Sequence, residues 1–61
     1  MLDPAKLKRG AEQWETFRIR GKEFVQYDYR HIDGELFSTV RPTLEQCREE
    51  RRYWVSTREA L

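Results

Sequence analysis

An Asp-Gly pair, Asp33-Gly34, separates two runs rich in aromatic and β-branched residues, residues 24–31 and 35–40. Asp-Gly between such runs is the strongest short-range signal for a β-hairpin, because a two-residue type I′ turn requires positive φ at both central positions. The pair therefore predicts two neighbouring antiparallel strands, near 23–31 and 35–41. The rest of the chain has to fit around that hairpin.

A two-residue turn at this pair also sets the register of the hairpin. It places Tyr29 opposite Ser38 and Tyr27 opposite Val40. Directly opposed residues share one face of a sheet. One face then carries a largely apolar set, which we take as the core face: Val25, Tyr27, Tyr29, Leu36 and Val40.

A further strand is predicted near 14–20, and its turn around Gly21-Lys22 allows two registers. A two-residue turn with Gly first places on the core face Trp14, Thr16 and Arg18. A three-residue loop places Phe17 and Ile19 there instead, since a shift of one residue exchanges the faces. We favour the three-residue loop, because it buries these two apolar side chains beside the core residues of the second strand.

Pro42 ends the third strand, and Thr43 then has the features of a helix N-cap, with Gln46 at the capping-box spacing. At 100° per residue, one wide stripe of the following helix, near 44–58, carries Leu44, Cys47, Arg51, Trp54, Val55 and Leu61. This stripe is expected to cover the core face of the sheet. Within it, Arg51 is expected to pack its aliphatic stem while its head reaches solvent over Trp54 or a tyrosine ring.

Together these elements predict an α+β fold in two layers, a three-stranded antiparallel β-meander followed by one C-terminal amphipathic helix. Residues 12–61 would form this single domain. Before it, Asp3 suits a helix cap, Pro4 the first helical position and Gly10 a helix end. Residues 1–11 are therefore expected to form a short arm that is either helical or disordered.

A chain of 61 residues has a marginal core and usually needs a further source of stability. Cys47 is the only cysteine and His31 the only histidine, which excludes an intramolecular disulfide and a Cys/His zinc site. Self-association, a partner, or efficient packing of the eight aromatic side chains remains. The lone thiol, with no leader and no long apolar run, predicts a cytoplasmic protein that does not enter a membrane.

Few side chains are suited to catalysis. Cys47 and His31 are the one nucleophile–base combination, but Cys47 lies on the buried stripe of the helix, where a cysteine usually acts as a small hydrophobe. An oxygen-ligand metal site at Asp28, Asp33 and Glu35 is disfavoured, because Asp33 has a turn role and Asp28 points to the other sheet face. We therefore expect no enzyme activity, no cofactor, no metal and no small-molecule substrate.

The sheet face opposite the predicted core is more informative, because a single helix covers only one side of a sheet. A solvated face should be polar, yet this one combines aromatic and cationic side chains: Arg18, Arg20, Phe24, Arg30, Phe37 and Arg41. Aromatics with arginine are enriched at protein interfaces, and they also suit single-stranded nucleic acid through stacking and phosphate contact. The net charge of +1 argues against binding to nucleic acid by bulk charge. A protein partner or a homodimer is the first hypothesis, an ordinary surface with two exposed phenylalanines the second, and nucleic acid the alternative function.

Several segments of the chain resemble a known family: residues 26–31, 33–38 and 42–45, then Cys47-Arg48 and Trp54. The family consists of very small Bacteroidetes proteins of unknown function that are often carried on conjugative transposons. The likeness spans about residues 12–55 and leaves residues 1–10 outside. It implies a mobile-element setting, which favours a small adaptor or regulator with a role in transfer, regulation or countering host defences.

Overall fold

The computed structural model describes residues 3–59 and confirms the expected architecture. Three antiparallel strands, β1 (Glu12–Ile19), β2 (Lys22–Arg30) and β3 (Leu36–Arg41), form one open sheet in the order β1-β2-β3. One helix, α1 (Leu44–Glu59), follows the sheet and packs on β2 and β3. The fold is therefore α+β, a meander of three strands with a C-terminal helix on one face. Within residues 3–59, no helix is long and apolar enough to cross a membrane.

The first hairpin turns through two residues. Ile19 pairs with Lys22, and the residues between them, Arg20 and Gly21, have positive φ angles of 52° and 78°. Positive φ at both central positions defines a type I′ turn, whose twist matches that of the flanking strands. Sequence reasoning missed it because the first position usually holds Asn, Asp or Gly rather than a side chain as large as that of Arg20.

This turn makes our preferred register for β1 wrong. Trp14 lies opposite Tyr27 and Thr16 opposite Val25, so these β1 residues face the helix. Phe17 and Ile19, which we expected in the core, lie on the other face. The faces are those of the two-residue alternative, because a shift of one residue reverses every side chain of a strand.

The second hairpin turns through three residues instead of the predicted two. Gly34 donates its N–H to the carbonyl of His31 at 2.9 Å, and His31 donates to the carbonyl of Glu35 at 2.8 Å. Of the two residues expected to have positive φ, Gly34 alone does, at 94°. A turn followed by one left-handed glycine is the usual three-residue hairpin loop with a bulge.

The extra loop residue shifts β3 by one position against β2, and the predicted register is wrong here too. Phe37 lies opposite Tyr29, the place assigned to its neighbour Ser38. Leu36 and Val40 move from the predicted core face to the other face, where they are 37% and 39% exposed. The physical cause is again the two-residue period of strand side chains.

The core lies between α1 and the centre of the sheet. Val25, Tyr27 and Cys47 are buried, with exposures of 4%, 0% and 0%, and they are flanked by partly buried Tyr29, Phe37 and Leu44. The predicted stripe of α1 is confirmed for its members up to Val55, while Leu61 lies outside the described residues. Thr43 caps the helix as expected, since its hydroxyl accepts the N–H of Gln46 at 3.2 Å.

Ahead of β1, Pro4–Lys6 form a single 3-10 turn. Asp3 caps it by accepting the N–H of Ala5 at 3.0 Å, as the Asp-Pro pair suggests. The chain then reaches the sheet at Gly10, whose N–H donates to the carbonyl of Arg30 at 2.7 Å. The arm is therefore attached to the end of β2.

Candidate binding surface

The sheet face turned away from α1, the open face, carries every second residue of each strand. Most of its apolar members lie toward the first hairpin, and most of its polar members lie toward the other end of the sheet. They are Gln13, Glu15, Phe17 and Ile19 from β1, Lys22, Phe24, Gln26, Asp28 and Arg30 from β2, and Leu36, Ser38 and Val40 from β3.

The end of the open face next to the first hairpin is apolar. Phe17 and Phe24 are cross-strand partners whose rings stack, with centroids 5.9 Å apart. Ile19 and Val40 lie in adjoining rows and are 54% and 39% exposed. These four residues form an apolar patch that the helix does not cover, because α1 lies on the opposite face.

The other end of the open face is polar and centres on Asp28, which is only 6% exposed. Ser38 donates to its carboxylate at 2.6 Å, and the amides of Gln13 and Gln26 donate at 3.2 and 3.4 Å. One donor comes from each strand, so the hydrogen bonds offset the cost of burying the carboxylate. Sequence reasoning placed Asp28 on this face but found none of these partners.

Arg30 is the only arginine of the predicted set that lies on the open face of a strand. Its Nε, Nη1 and Nη2 atoms donate to the carbonyls of Leu7, Gly34 and Pro4 at 2.8, 2.7 and 2.9 Å. Each guanidinium nitrogen thus bonds to backbone. Arg30 holds residues 4–7 and the second hairpin together, and this engagement competes with any contact to an external anion.

The other arginines of the predicted binding face lie elsewhere. Arg18 and Arg41 belong to the helix side of the sheet, and Arg20 lies in the first turn. Arg18 is 3.7 Å from Glu23, while the Nε of Arg41 donates to Glu50 at 2.6 Å. Their predicted placement is corrected by the two hairpin registers, which turn these residues to the opposite face.

Phe37 is also on the helix side, contrary to the prediction. Its ring lies 5.3 Å from that of Trp54, which also meets Tyr29 and His31 edge-on at 6.4 and 5.9 Å. His31 is buried, and its Nδ1 lies 3.1 Å from the hydroxyl of Tyr29. Trp54 therefore packs against all three rings, and Phe24 is left as the one phenylalanine of the predicted pair on the open face.

A polar cluster on the helix side joins β1 to α1, and sequence reasoning missed it. The carboxylate of Glu12 accepts from Arg48 at 2.6 Å, from Arg51 at 3.0 Å and from the hydroxyl of Tyr27. Arg51 also donates to that hydroxyl at 3.1 Å and lies over the ring of Tyr29, 5.0 Å from its centroid. The tyrosine contact of Arg51 matches the expectation, but its head binds Glu12 instead of reaching solvent.

The cluster sets the protonation of its members. Burial opposes ionisation of Glu12, but the hydrogen bonds from Arg48 and Tyr27 and the charges of both arginines outweigh burial and lower the pKa of Glu12. Burial, together with the hydrogen bond to this carboxylate, raises the pKa of Tyr27 well above its usual range. Glu12 is therefore an anion and Tyr27 a neutral donor at neutral pH.

The C-terminal end of α1 is tied to the second hairpin. Arg58 donates to the carboxylate of Asp33, and this hydrogen bond, with a second from the N–H of Glu35, lowers the pKa of Asp33. The guanidinium of Arg58 also lies over the ring of Trp54, 4.7 Å from its centroid. Asp33 thus has a helix contact in addition to the turn role that its sequence position predicts.

The two residues considered as a nucleophile and base lie at different levels of α1: Cys47 is in the helix, and His31, which follows β2, packs on a later turn of it. Cys47 is buried beside Val25, with its Sγ 3.8 Å from the Val25 carbonyl, and burial raises the pKa of this thiol. His31 instead contacts Trp54, which lies seven residues, or about 10 Å, further along the helix. The fold does not bring the thiol and the imidazole together.

The comparison with protein families gives one result. Residues 6–59 match the family described as "Domain of unknown function, B. Theta Gene description", DUF3873. The chain belongs to the DUF3873 family. The family match includes the arm from Lys6 and nearly all of α1, and so extends beyond the resemblance drawn from the sequence. No curated protein and no solved structure matches the chain significantly.

Proposed function

We propose that this DUF3873 protein is a small non-enzymatic adaptor or regulator that binds another protein, or a second copy of itself, through the apolar patch. One observation carries the proposal: four apolar side chains lie together on the open face, while three of the four predicted arginines, Arg18, Arg20 and Arg41, lie elsewhere. Phe17, Ile19, Phe24 and Val40 share that face. Aromatic and branched apolar side chains in one contiguous patch are typical of the centre of a protein interface.

The surface of the chain also supports a need for further burial. The accessible area is 4735 Å², whereas a folded monomer of 7.5 kDa typically exposes about 4,250 Å². The excess is about a tenth of the typical value. A stable interface removes roughly 800 Å² from each partner, so covering the open face would bring the exposed area below the monomer value.

The alternative, a module that binds single-stranded nucleic acid, retains the stacked phenylalanines but has fewer available cations beside them. Arg30 is bonded to three carbonyls, and Arg41 is bonded to Glu50 on the other face. Arg20 in the first turn and Lys22 at the start of β2 bring positive charge close to the patch. Nucleic-acid sites combine stacking with a cationic track, so this geometry favours a protein partner.

The setting we propose is a mobile element in a reducing cytoplasm. The resemblance to small Bacteroidetes proteins carried on conjugative transposons supports the first part, and the lone thiol of Cys47 supports the second. A partner encoded by the same element would fit a role in transfer or its regulation.

A pull-down from the native host, with and without nuclease, tests the proposed function. The bait is the whole chain, compared with its Phe24→Ser variant and with Ile32→Ser, which changes a side chain that is 69% exposed and lies outside the open face. A partner retained after nuclease by the whole chain and by Ile32→Ser, but lost with Phe24→Ser, supports the proposal. The retained complex should also weaken little between 50 and 200 mM salt.

A partner that disappears with nuclease, or binding that falls by about fivefold or more over that salt range, would instead support the nucleic-acid alternative. Retention of the partner by the Phe24→Ser variant would place the interface outside the patch. Light scattering on the purified chain separates the two forms of the proposal, since a homodimer doubles the mass without any host component.

A further inference from the structure

The outer edge of β3 has backbone groups that no other strand uses. In an antiparallel pair, the residues that bond across the ladder alternate with residues whose N–H and C=O point away. His31 bonds to Glu35, and Arg30 bonds to Ala11 on the β1 side, so the alternation continues along β3. The outward N–H and C=O groups are those of Leu36, Ser38 and Val40. Of these groups, only the Val40 carbonyl has a hydrogen-bond partner among the described residues, the guanidinium of Arg41 at 2.7 Å.

A groove runs beside this edge, between β3 and one flank of α1. Its volume is about 540 Å³, within the range of pockets that hold a drug-sized ligand, which leaves room for a large side chain. Apolar and aromatic groups come from both elements: Phe37 from β3, and Tyr53 and Trp54 from α1. Tyr53 is 74% exposed, although tyrosine and tryptophan are the residues that most often anchor interfaces.

One negative charge along the groove has no partner among the described residues. Arg41 and Glu50 line it and neutralise each other. Glu49 also lines it, and within residues 3–59 no cation lies close enough to pair with it. The groove therefore complements a cationic side chain in addition to an apolar one.

We propose that β3 and this groove bind an extended peptide segment of a partner protein, which adds a fourth strand to the sheet. The peptide pairs its backbone with Leu36, Ser38 and Val40, places a large apolar side chain against Tyr53 and Trp54, and presents a lysine or arginine to Glu49. Strand addition beside a helix uses main-chain hydrogen bonds for affinity and a side-chain pocket for specificity. This site shares one residue with the apolar patch, Val40, whose side chain belongs to the patch and whose backbone belongs to the edge. The patch is tested through Phe24, and the groove through Tyr53 and Glu49, so either site can fail its test without the other.

The test uses the whole ¹⁵N-labelled chain and synthetic peptides chosen from a phage-displayed library of random ten-residue sequences. Selected peptides should share one large apolar and one basic position. On binding, the outward amides of Leu36 and Ser38 should become protected from exchange, while the outward amides of Trp14 and Thr16 on the β1 edge stay unchanged. Tyr53→Ala should weaken binding about tenfold or more, and Glu49→Lys should reverse the preference from basic to acidic peptides.

Proline supplies the matched controls, because it removes one N–H and is tolerated at outward positions of edge strands. Val40→Pro should abolish binding, Val40→Thr should retain it, and Thr16→Pro on the opposite edge should bind like the unchanged chain. Thermal melts confirm that each variant folds. Three results would each overturn the proposal: failure to select any peptide, protection from exchange on the β1 edge, or unchanged peptide binding by Val40→Pro. So would protection of the β3 amides that rises with protein concentration in the absence of peptide, because it indicates a second copy of the chain at the edge.

Discussion

Phe37 of the edge strand β3 lies opposite Tyr29 of the central strand β2 and packs its ring 5.3 Å from that of Trp54. This contact joins β3 to α1 at Trp54, the helix residue that also meets the rings of Tyr29 and His31. A phenylalanine in such a place stabilises the fold and is not available to a partner. The stability of the second hairpin and the packing of the helix are therefore coupled through one side chain.

Phe37→Ala should lower the free energy of unfolding by about 3 kcal/mol, the lower end for a phenylalanine truncation because the side chain is only half-buried. In a domain of this size such a loss brings unfolding close to room temperature. Leu36→Ala is the matched control, since Leu36 is its neighbour on the open face, and it should cost less than about 1 kcal/mol. Denaturant melts measure both values, and equal losses would contradict the register of β3.

Glu12 supplies a second prediction, on pH. Its pKa is lower in the folded chain than its ordinary value of 4.5, so the folded state favours the ionised form. That contribution is fully present above the ordinary pKa and is lost as the pH falls through the lower, folded value. The stability of the unchanged chain should therefore decrease on acidification below about pH 4.5.

Glu12→Gln should lower stability at pH 7 by about 1–2 kcal/mol, since the cluster is partly exposed and two arginines lose their anion. It should also flatten the decrease on acidification, although the exposed Asp33, whose pKa is lowered as well, retains its share. Urea melts between pH 3 and 7 measure this. If stability falls as steeply on acidification in Glu12→Gln as in the unchanged chain, other carboxylates cause the decrease.

Arg20 gives a prediction of increased stability. It is the one non-glycine residue with positive φ among residues 3–59, and a large side chain in that conformation is strained by about 1 kcal/mol. Arg20→Asn creates the Asn-Gly pair preferred in type I′ turns and should raise the free energy of unfolding by about 0.5–1 kcal/mol. Arg18→Asn, two residues earlier and in the strand, should give no such gain in the same thermal melts.

Arg30→Lys tests the attachment of the arm. Lysine keeps the charge, but its single ammonium group cannot reach the carbonyls of Pro4, Leu7 and Gly34 together. Residues 4–8 should then detach more often, and trypsin should cleave after Lys6 and Lys8 several times faster than in the unchanged chain. Arg52→Lys, on the exposed side of α1, is the control, and equal cleavage rates in the two variants would contradict the role of Arg30.

The sequence predicted the elements well, because each has its own local signal. Pro42 and Thr43 mark the start of α1, and Asp33-Gly34 marks a hairpin. The sequence did not predict the strand registers, because two- and three-residue loops are both compatible with Gly21 and with Gly34. The choice between them depends on tertiary contacts such as Phe37 with Trp54, which no local pattern contains.

The candidate site depended on those registers, so errors in the two loops moved Phe37, Arg18 and Arg41 to the wrong face. The partners of Glu12 could not be predicted for the same reason. Glu12 and Trp14, two residues apart in β1, turn toward the helix only when β1 has the faces of the register that we had set aside. In that register, a carboxylate at the start of β1 faces the arginine-bearing stripe of α1, which is the signal that would have revealed the cluster.

The meander has a kinetic consequence. β1 pairs with β2 and β2 with β3, so every strand closes on its sequence neighbour through a loop of two or three residues. Such local topology has low contact order and favours rapid folding. The link from Glu12 to Arg48 and Arg51 spans more than half of the chain and closes a far longer loop than either hairpin, so we expect it to form after the transition state. Loss of this link would then leave the folding rate nearly unchanged and accelerate unfolding, which makes Glu12 a determinant of how long each folded molecule survives.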